Sequence, residues 1–408
     1  MHSEDIAAAR EAADRMAQEL EHRNYEKYGP ILHKACRYLR LQGTMLYGGA
    51  AINELLPAKD RFYSDYTLPD LDVFAQDSET VARGMVQFFK QNGHASATYG
   101  PALHSGTYKV YVDGLSVADI TKIRPKGWKV LEDGSRKAGA ALSGVRIVNP
   151  LFLQMSLHMM LSQPIDAHRW EKVFQRLLVF MDAYPPPALS KVRRGLAEAG
   201  GSSTGYRPLP KAMDREFRRA IAKDKMIICG TAAIERYLHA SGMGPIAIEA
   251  NGIMRYDLYV AEGSPAEAVE RLCRRMGSED LAPGGNQPAD DFVPEHAYIL
   301  YRGRRWARVF LAPVCLSYVS QGPYRYASMS TMLRTYMALQ LSGHPTGNVV
   351  GLLQHVFIKS LVSYSDGDRH RPRLLDPFVI TCAGHQAGLI TLKRQRFDRA
   401  PGRAAMPA

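Results

Sequence analysis

The sequence predicts a mixed α/β (α+β) protein that contains two tandem copies of one α/β unit behind a helical N-terminal segment. Two observations lead to this fold class. Short apolar strands alternate with amphipathic helices, and the pattern of residues 47–120 recurs in the same order in residues 229–310. With 408 residues, the chain is also long enough for two or three domains, each with its own core.

The domain organisation follows from local composition. Residues 1–40 are rich in Ala, Glu and Arg, which favour a helical segment. The two copies place a first domain at residues 41–181 and a second at residues 211–389. Residues 182–210 carry a triple proline and a Gly/Ser run, as is typical of a linker. Residues 390–408, rich in Arg, Pro and Ala, predict a disordered basic tail.

Composition and charge narrow the class of protein. Hydrophobic residues make up 46% and charged residues 23% of the chain, which excludes wholesale disorder. The net charge of +12 favours a polyanionic partner, either nucleic acid or a membrane surface. No segment reaches the length of a membrane-spanning helix, and the N-terminus lacks the apolar core of a signal peptide. We therefore expect a soluble intracellular protein without a membrane partner.

Cysteine and histidine usage gives no sign of a metal or disulfide framework. The five cysteines are scattered, odd in number and free of CxxC pairs, and the thirteen histidines show no HExxH spacing. This pattern predicts a reducing compartment and argues against both a disulfide frame and structural zinc.

The first copy begins with a strand that runs into two glycines. In TMLYGGAAINELL, we expect a strand at residues 44–47, then Gly48 and Gly49, then a helix from about Ala50. Such a turn presents backbone N–H groups and the positive end of a helix dipole to an anion. It is therefore a candidate site for phosphate.

Three aspartates occupy strand positions where carboxylates are unusual. In LPDLDVF, Asp70 and Asp72 lie on one face of a strand, because side chains alternate with a period of two. Asp119, in VADI, interrupts an apolar pattern on another predicted strand, at residues 115–121. For a lone Asp-x-Asp, an exposed edge strand or a turn opened by Pro69 is the better explanation, because the pattern is short and common. All three together, beside a phosphate turn, favour two divalent ions about 4 Å apart and nucleotidyl transfer as the chemistry.

The second copy keeps the apolar pattern of the first but not its carboxylates. CGTAAIERYL repeats YGGAAINELL, and YDLYV repeats PDLDVF. In this alignment Asp257 matches Asp70, while Tyr259 and Arg308 stand where the first copy has its other two aspartates. The pattern predicts that the second copy kept its architecture and lost its metals.

These motifs resemble a known family. A strand-Gly-Gly-helix followed by Asp-x-Asp and a later single Asp resembles the nucleotidyltransferase superfamily that includes DNA polymerase beta. More closely, YGGAAIN, LPDLDVF, VADI and AHRWEKVFQRL are similar to poly(A) polymerase catalytic subunits of poxviruses and other large nucleocytoplasmic DNA viruses. The resemblance covers residues 25–180 and implies two tandem nucleotidyltransferase-like domains, the second degenerate. The gap before Asp70 is longer than usual in the superfamily, so KDRFYSDYT is expected to loop out.

The resemblance implies an activity and roles for the site residues. The activity would be template-independent polynucleotide adenylyltransfer, which adds AMP from ATP to RNA 3′ ends with two Mg²⁺ or Mn²⁺ ions. Asp70 and Asp72 would bind both ions, and Asp119 the one that activates the RNA 3′-hydroxyl. Gly48 and Gly49 would contact the phosphates of the incoming ATP.

A basic helix face downstream is a further candidate. In HRWEKVFQRLLVF, Arg169, Lys172 and Arg176 lie opposite the apolar positions. A solvated face and a contact with triphosphate or RNA explain these positions about equally well. Arg169 and Lys172 are the candidates for binding ATP.

The expected partners are ATP and an RNA 3′ end. Among the relatives, poxvirus proteins work with a processivity subunit, whereas giant-virus proteins act as homodimers; we expect self-association here. The resemblance also implies a viral protein in the host cytoplasm, with packaging in the virion as a further option. Two alternatives stay open: another RNA nucleotidyltransferase (uridylyl, CCA or oligoadenylate synthesis) and a catalytically inert RNA-binding scaffold. The sequence does not determine the nucleotide, the RNA preference or the choice of metal.

Overall fold

The structure is a computed structural model that describes residues 3–201, 209–246, 248, 253–365 and 372–398. It confirms the mixed α/β fold class. The chain forms two compact units, one of Met1–Leu153 with Ala387–Ala408 and the other of Gln154–Gln386. The predicted boundary at residue 181 differs from this division, because Trp170 stacks on Phe378 of the second unit at a centroid distance of 6.0 Å, and Phe174 contacts the same ring edge-to-face at 5.0 Å.

The regular elements alternate along the chain. The helices are α1 (Ser3–Leu41), α2 (Gly48–Leu55), α3 (Ser78–Gln91), α4 (Pro125–Glu132), α5 (Pro150–Leu161), α6 (Trp170–Ala183), α7 (Leu189–Gly201), α8 (Lys211–Lys223), α9 (Thr231–Ala240), α10 (Pro265–Met276), α11 (Met329–Leu341), α12 (Gly347–Ser365) and α13 (Leu389–Asp398). The strands are β1 (Met45–Tyr47), β2 (Leu71–Ala75), β3 (Thr98–Pro101), β4 (Thr107–Val112), β5 (Leu115–Lys122), β6 (Arg136–Lys137), β7 (Arg146–Ile147), β8 (Ile227–Ile228), β9 (Tyr256–Val260), β10 (Leu281–Gln287), β11 (His296–Tyr301), β12 (Arg304–Leu311), β13 (Leu316–Gln321), β14 (Tyr324–Ala327) and β15 (Cys382–Ala383).

The two units contain sheets of the same topology. The first sheet has the order β3-β4-β5-β2-β1-β7-β6, and the second has the order β10-β11-β12-β9-β8-β14-β13 followed by β15. The orientations also correspond: β1 is antiparallel to β2 and parallel to β7, as β8 is to β9 and β14. β2 runs parallel to β5, as β9 does to β12. The duplication predicted from the sequence is therefore confirmed.

Strand register corrects the alignment of the two copies. On β2 and β5, Asp72 is paired with Asp119; on β9 and β12, Asp257 is paired with Arg308. Asp257 therefore takes the place of Asp72 and not, as predicted, that of Asp70.

The same register moves the neighbouring positions by two residues. Arg255 takes the place of Asp70, and Tyr259 takes the place of Phe74 rather than that of Asp72. The sequence alignment was wrong because a shift of two residues leaves every strand side chain on its original face, so the apolar pattern fits either register.

The N-terminal half of the fold follows the local predictions closely. The long helix predicted at residues 1–40 is α1, and the strand and helix around the glycine pair are β1 and α2. The insertion before Asp70 does loop out, with only a short 3₁₀ turn at Ala58–Asp60. Asn53 Oδ1 on α2 accepts the backbone N–H groups of Phe62 and Tyr63, both at 3.0 Å, and so fixes this loop to the helix.

Two segments predicted to lack regular structure are partly helical. The predicted linker contains α7, whose residues Val192 and Leu196 are buried in the second unit. The predicted disordered tail begins with α13, and Arg396 Nε donates to the carbonyl of Pro101 at 2.7 Å. Proline and arginine content signalled irregular chain, but buried apolar side chains and a backbone acceptor order both segments. Residues 399–408 lie outside the described residues.

The cysteine prediction is wrong for one pair. Cys315 and Cys382 form a disulfide with a Cα–Cα distance of 5.4 Å, whereas Cys36, Cys229 and Cys273 are free and buried. Pairing of β13 with β15 brings the two residues together across 67 positions of sequence, a contact that spacing motifs cannot show. In the part of the chain that the structure describes, no helix is long and apolar enough to cross a membrane.

Candidate active site

The candidate site begins at the glycine turn between β1 and α2. Gly48 has φ +71°, in the left-handed region that disfavours any residue with a Cβ. A Cβ at this position would also collide with the Asp72 carboxylate. The turn therefore requires glycine both for its backbone conformation and for the close approach of an acidic side chain.

Gly48 and Gly49 are the first two residues of α2. Among the described residues, no backbone carbonyl accepts a turn, loop or cap hydrogen bond from their N–H groups. The first N–H groups of a helix need an external acceptor, and the helix dipole favours a negatively charged one. This end of α2 is therefore suited to an anion such as phosphate.

The three predicted aspartates lie on adjoining strands beside this turn. Asp72 on β2 is paired in register with Tyr47 on one side and with Asp119 of β5 on the other. Asp70 precedes β2 by one residue and is exposed, while Asp72 and Asp119 are half-buried. Strand register thus brings Asp72 and Asp119 side by side, as the sequence predicted, with Asp70 two residues away on the same strand face.

A lysine that the sequence analysis missed completes this carboxylate group. Lys109 of β4 is the register partner of Asp119, and its Nζ lies 2.6 Å from Asp119 Oδ1. Lys109 Nζ also donates to Ser116 Oγ at 3.1 Å. Partial burial opposes the charged form, but the hydrogen bond and charge of Asp119, with the charge of Asp70, outweigh it and raise the pKa of Lys109. An ammonium ion therefore sits against the carboxylates.

Two aromatic side chains pack against each other next to the carboxylates. The Tyr47 ring stacks on Phe74 at a centroid distance of 4.1 Å, and its hydroxyl shares a hydrogen bond of 2.9 Å with Thr121 Oγ1. Burial and the negative charge of Asp72 raise the pKa of Tyr47, so its hydroxyl stays neutral. Tyr47 thus buttresses the glycine turn and does not add charge to the site.

The corresponding position in the second copy is filled by the protein itself. Arg308 Nε lies 2.8 Å from Asp257 Oδ1, and the two side chains are 1% and 0% exposed. Tyr336 donates to the other carboxylate oxygen at 3.1 Å. A buried guanidinium thus neutralises the one aspartate that the second copy retains. The predicted loss of metal ligands in this copy is consistent with this arrangement.

The glycine turn of the second copy is closed as well. Gly230 also has a positive φ, of +79°, but its N–H donates to the Tyr336 hydroxyl at 2.6 Å. The next two N–H groups, of Thr231 and Ala232, donate to backbone carbonyls at 3.1 Å each. The N–H groups at the start of α9 are therefore satisfied internally, and no phosphate cradle remains in the second copy.

The donor set of the first copy fits a divalent ion by its chemistry. Carboxylate oxygens on neighbouring strands are hard ligands of the type that Mg²⁺ and Mn²⁺ take. The carboxylates of Asp119 and Asp70 already attract the ammonium of Lys109, so the field that these carboxylates create favours a cation. The described residues contain no preformed cluster of three or more His, Cys, Asp or Glu side chains arranged around a metal position. Binding an ion would therefore require these side chains to rearrange.

The two predicted basic candidates lie in the second unit. Arg169 ends a 3₁₀ turn at Pro164–Arg169, and Lys172 lies in the first turn of α6; both side chains are exposed. The apolar side of the same helix packs as predicted, with Trp170 and Val173 buried. Their role in ATP binding stays a prediction.

Comparisons with known proteins agree with this geometry. Residues 33–167 match the family model of the poly(A) polymerase catalytic subunit. A candidate poly(A) polymerase catalytic subunit of Acanthamoeba polyphaga mimivirus is 26% identical over 184 residues, and one of African swine fever virus is 26% identical over 141 residues. These alignments span 43% and 34% of this chain but only 30% and 28% of the relatives' own lengths.

The fold itself is shared with a solved structure. The crystal structure of the Megavirus polyadenylate synthase superposes with a TM-score of 0.74 and 17% identity, covering 97% of this chain and 82% of that one. The resemblance to viral poly(A) polymerase catalytic subunits is thus confirmed for the first domain, and the fold for almost the whole chain. The matched residues 33–167 include the glycine turn and all three aspartates.

Proposed function

We propose that this chain is a template-independent poly(A) polymerase that transfers AMP from ATP to RNA 3′ ends. The observation that carries the proposal is the pairing of Asp72 with Asp119 beside the glycine turn that begins α2, within the segment that matches the family model. The contrast with the second copy supports it, since there the same turn and strands are closed by Tyr336 and Arg308.

The reaction needs two kinds of group, and the site offers both. The RNA 3′-hydroxyl attacks the α-phosphorus of ATP, and the bond to pyrophosphate breaks. The N–H groups of Gly48 and Gly49 donate to triphosphate oxygens and orient the leaving group. Asp70, Asp72 and Asp119 would hold two divalent ions, which supply activation of the attacking hydroxyl and neutralise charge on the leaving pyrophosphate. No covalent intermediate with the protein is required.

The proposal extends to the basic residues outside the glycine turn and the aspartates. Arg169 and Lys172 would contact the triphosphate or the RNA backbone, and the net charge of +12 would support RNA binding. Affinity for single-stranded RNA should then fall more than about tenfold between 50 and 200 mM salt, as three or more neutralised phosphates require.

We also propose a homodimer, to be tested by light scattering, and action in the cytoplasm of an infected host.

Primer extension tests the activity. A labelled oligo(A) RNA is incubated with each NTP separately and with Mg²⁺ or Mn²⁺, using the wild type, the double variant Asp70→Ala/Asp72→Ala, and Asp119→Asn. Asp65→Ala, which removes an exposed carboxylate from the loop before β2, is the matched control. We expect a metal-dependent ladder with ATP alone, reduced at least about 10²-fold in the site variants and unchanged in the control.

The other outcomes separate the alternatives. A ladder with UTP or CTP instead of ATP would keep the site and its chemistry but assign another RNA nucleotidyltransferase activity. RNA binding without extension by any nucleotide would refute the enzyme and favour a binding scaffold. Equal extension by the wild type and the Asp70→Ala/Asp72→Ala variant would show that the chemistry occurs elsewhere.

A further inference from the structure

We propose that Lys109 is a positioning residue that serves as a built-in counter-cation: it holds Asp119 until a divalent ion displaces it, and so weakens metal binding by the free enzyme. This inference rests on the proposed function in one respect, since it takes the three aspartates as metal ligands.

The geometry places the ammonium at the point where a metal would compete with it. Lys109 and Asp119 are direct register partners on antiparallel strands, and the Nζ–Oδ1 distance is 2.6 Å. The same ammonium also donates to Ser116 Oγ at 3.1 Å. A divalent ion that takes Asp119 Oδ1 as a ligand needs the oxygen that the Lys109 ammonium now contacts. The two cations therefore exclude each other at this oxygen.

Exposure distinguishes this pair from its counterpart in the second copy. The side chains of Lys109 and Asp119 are 25% and 24% exposed, whereas those of Arg308 and Asp257 are 1% and 0% exposed. A lysine on a flexible stem with access to solvent can leave its partner, while a fully buried arginine cannot do so without leaving a buried carboxylate unpaired.

The strand that carries the positive charge also differs between the two copies. Register places Tyr298 of β11 where β4 has Lys109, and places Arg308 of β12 where β5 has Asp119. In the second copy the positive charge therefore replaces a ligand outright. In the first copy it lies across from the ligand, on a neighbouring strand, where it neutralises Asp119 and leaves the carboxylate in place for a metal.

The consequence is a competition that can be measured without substrate. With Lys109 in place, a metal must displace an ammonium ion before it reaches Asp119, so removal of the ammonium should tighten metal binding. We expect Lys109→Met to lower the dissociation constant for Mn²⁺ about tenfold, equivalent to about 1.4 kcal/mol. Lys109→Arg keeps the charge and should stay within about twofold of the wild type.

The experiment is Mn²⁺ titration of nucleotide-free and RNA-free protein at constant ionic strength, with free Mn²⁺ measured by electron paramagnetic resonance. Lys122→Met is the matched control, because it removes the same charge from an exposed position on β5. Circular dichroism confirms the fold of each variant. If Lys109→Met fails to fold, Ser116→Ala, which releases the ammonium from its second partner, takes its place and should also tighten binding.

Each outcome decides between the proposals. Tighter Mn²⁺ binding in Lys109→Met but not in Lys122→Met supports the counter-cation. Unchanged or weaker binding in Lys109→Met, with wild-type binding that Asp119→Asn abolishes, overturns this inference and leaves the proposed function standing. Absence of Mn²⁺ binding in the wild type and in Lys109→Met alike overturns this inference, and primer extension then decides the proposed function independently.

Discussion

The buried ion pair of the second copy makes the sharpest stability prediction. Arg308→Met keeps much of the length of the side chain but removes its charge from a position that is 1% exposed. Among the described residues, Asp257, 0% exposed, would keep only the Tyr336 hydroxyl at 3.1 Å as a side-chain partner. Water cannot reach the carboxylate to replace the lost guanidinium, so its charge would be left unpaired in the interior.

The expected magnitude follows from this burial. Removing one partner of a buried ion pair costs about 3–5 kcal/mol, because the other charge stays desolvated. For a unit of this size, about 1 kcal/mol corresponds to roughly 2–4 °C, so the melting temperature should fall by roughly 6–20 °C. The double variant Arg308→Met/Asp257→Asn carries no unpaired charge and should regain a large part of that loss.

Urea unfolding followed by the fluorescence of Trp306, which is 2% exposed on the same strand, measures the effect. Arg305→Met is the matched control: it removes an exposed arginine from β12 whose contact is with the ring of Tyr298, at 4.3 Å. The control should cost less than about 1 kcal/mol. If Arg308→Met costs no more than Arg305→Met, or if the double variant is as unstable as the single one, the assignment of Arg308 as an obligatory partner is refuted.

Three further predictions concern other positions. Burial lowers the pKa of His158 to about 3, so the unfolded chain, but not the native state, binds a proton below pH 6.5. The free energy of unfolding of the wild type should therefore fall by about 2 kcal/mol between pH 7 and pH 5. His158→Leu should remove that loss, as measured by urea titrations at the two pH values. Gly48→Ala and Gly43→Ala, at φ +71° and +67°, should each lower stability by about 1 kcal/mol. Only Gly48→Ala places a Cβ against the Asp72 carboxylate, so only this variant should reduce primer extension, by about 10²-fold. Equal activities of the two variants would refute the close approach of Asp72 to Gly48. Reduction of the Cys315–Cys382 disulfide, whose cysteines are 67 residues apart in sequence, should lower stability by about 4 kcal/mol. The urea midpoint of a Cys315→Ser/Cys382→Ser variant should not respond to dithiothreitol; a response would contradict the assignment of the loss to this disulfide.

Local patterns in the sequence were sufficient for the first half of the candidate site. The glycine pair marks a strand-to-helix turn because few other residues allow that backbone, and Gly48 does adopt a positive φ. Asp70 and Asp72 share a face because strands have a period of two. Asp119 stands out as a carboxylate in an apolar strand, and the structure pairs it with Asp72. Each of these inferences depends on residues that are close together in the chain.

Features that depend on distant partners were missed or misplaced. Nothing near Lys109 in sequence shows that β4 will pair with β5 in the register that places its ammonium against Asp119. The disulfide likewise depends on the pairing of β13 with β15.

The sequence by itself therefore determined the duplicated α/β unit, the glycine turn and the carboxylates that the first copy keeps and the second largely loses. Only the tertiary structure decided which charges meet. Asp257 was assigned to the place of Asp70 because an alternating pattern fits equally well after a shift of two residues, and pairing with Arg308 on β12 resolved the ambiguity. The secondary structure, and the strand face on which each side chain lies, are set by neighbours in the chain. Register and ion pairing are set by the energy of packing strands that are far apart in sequence.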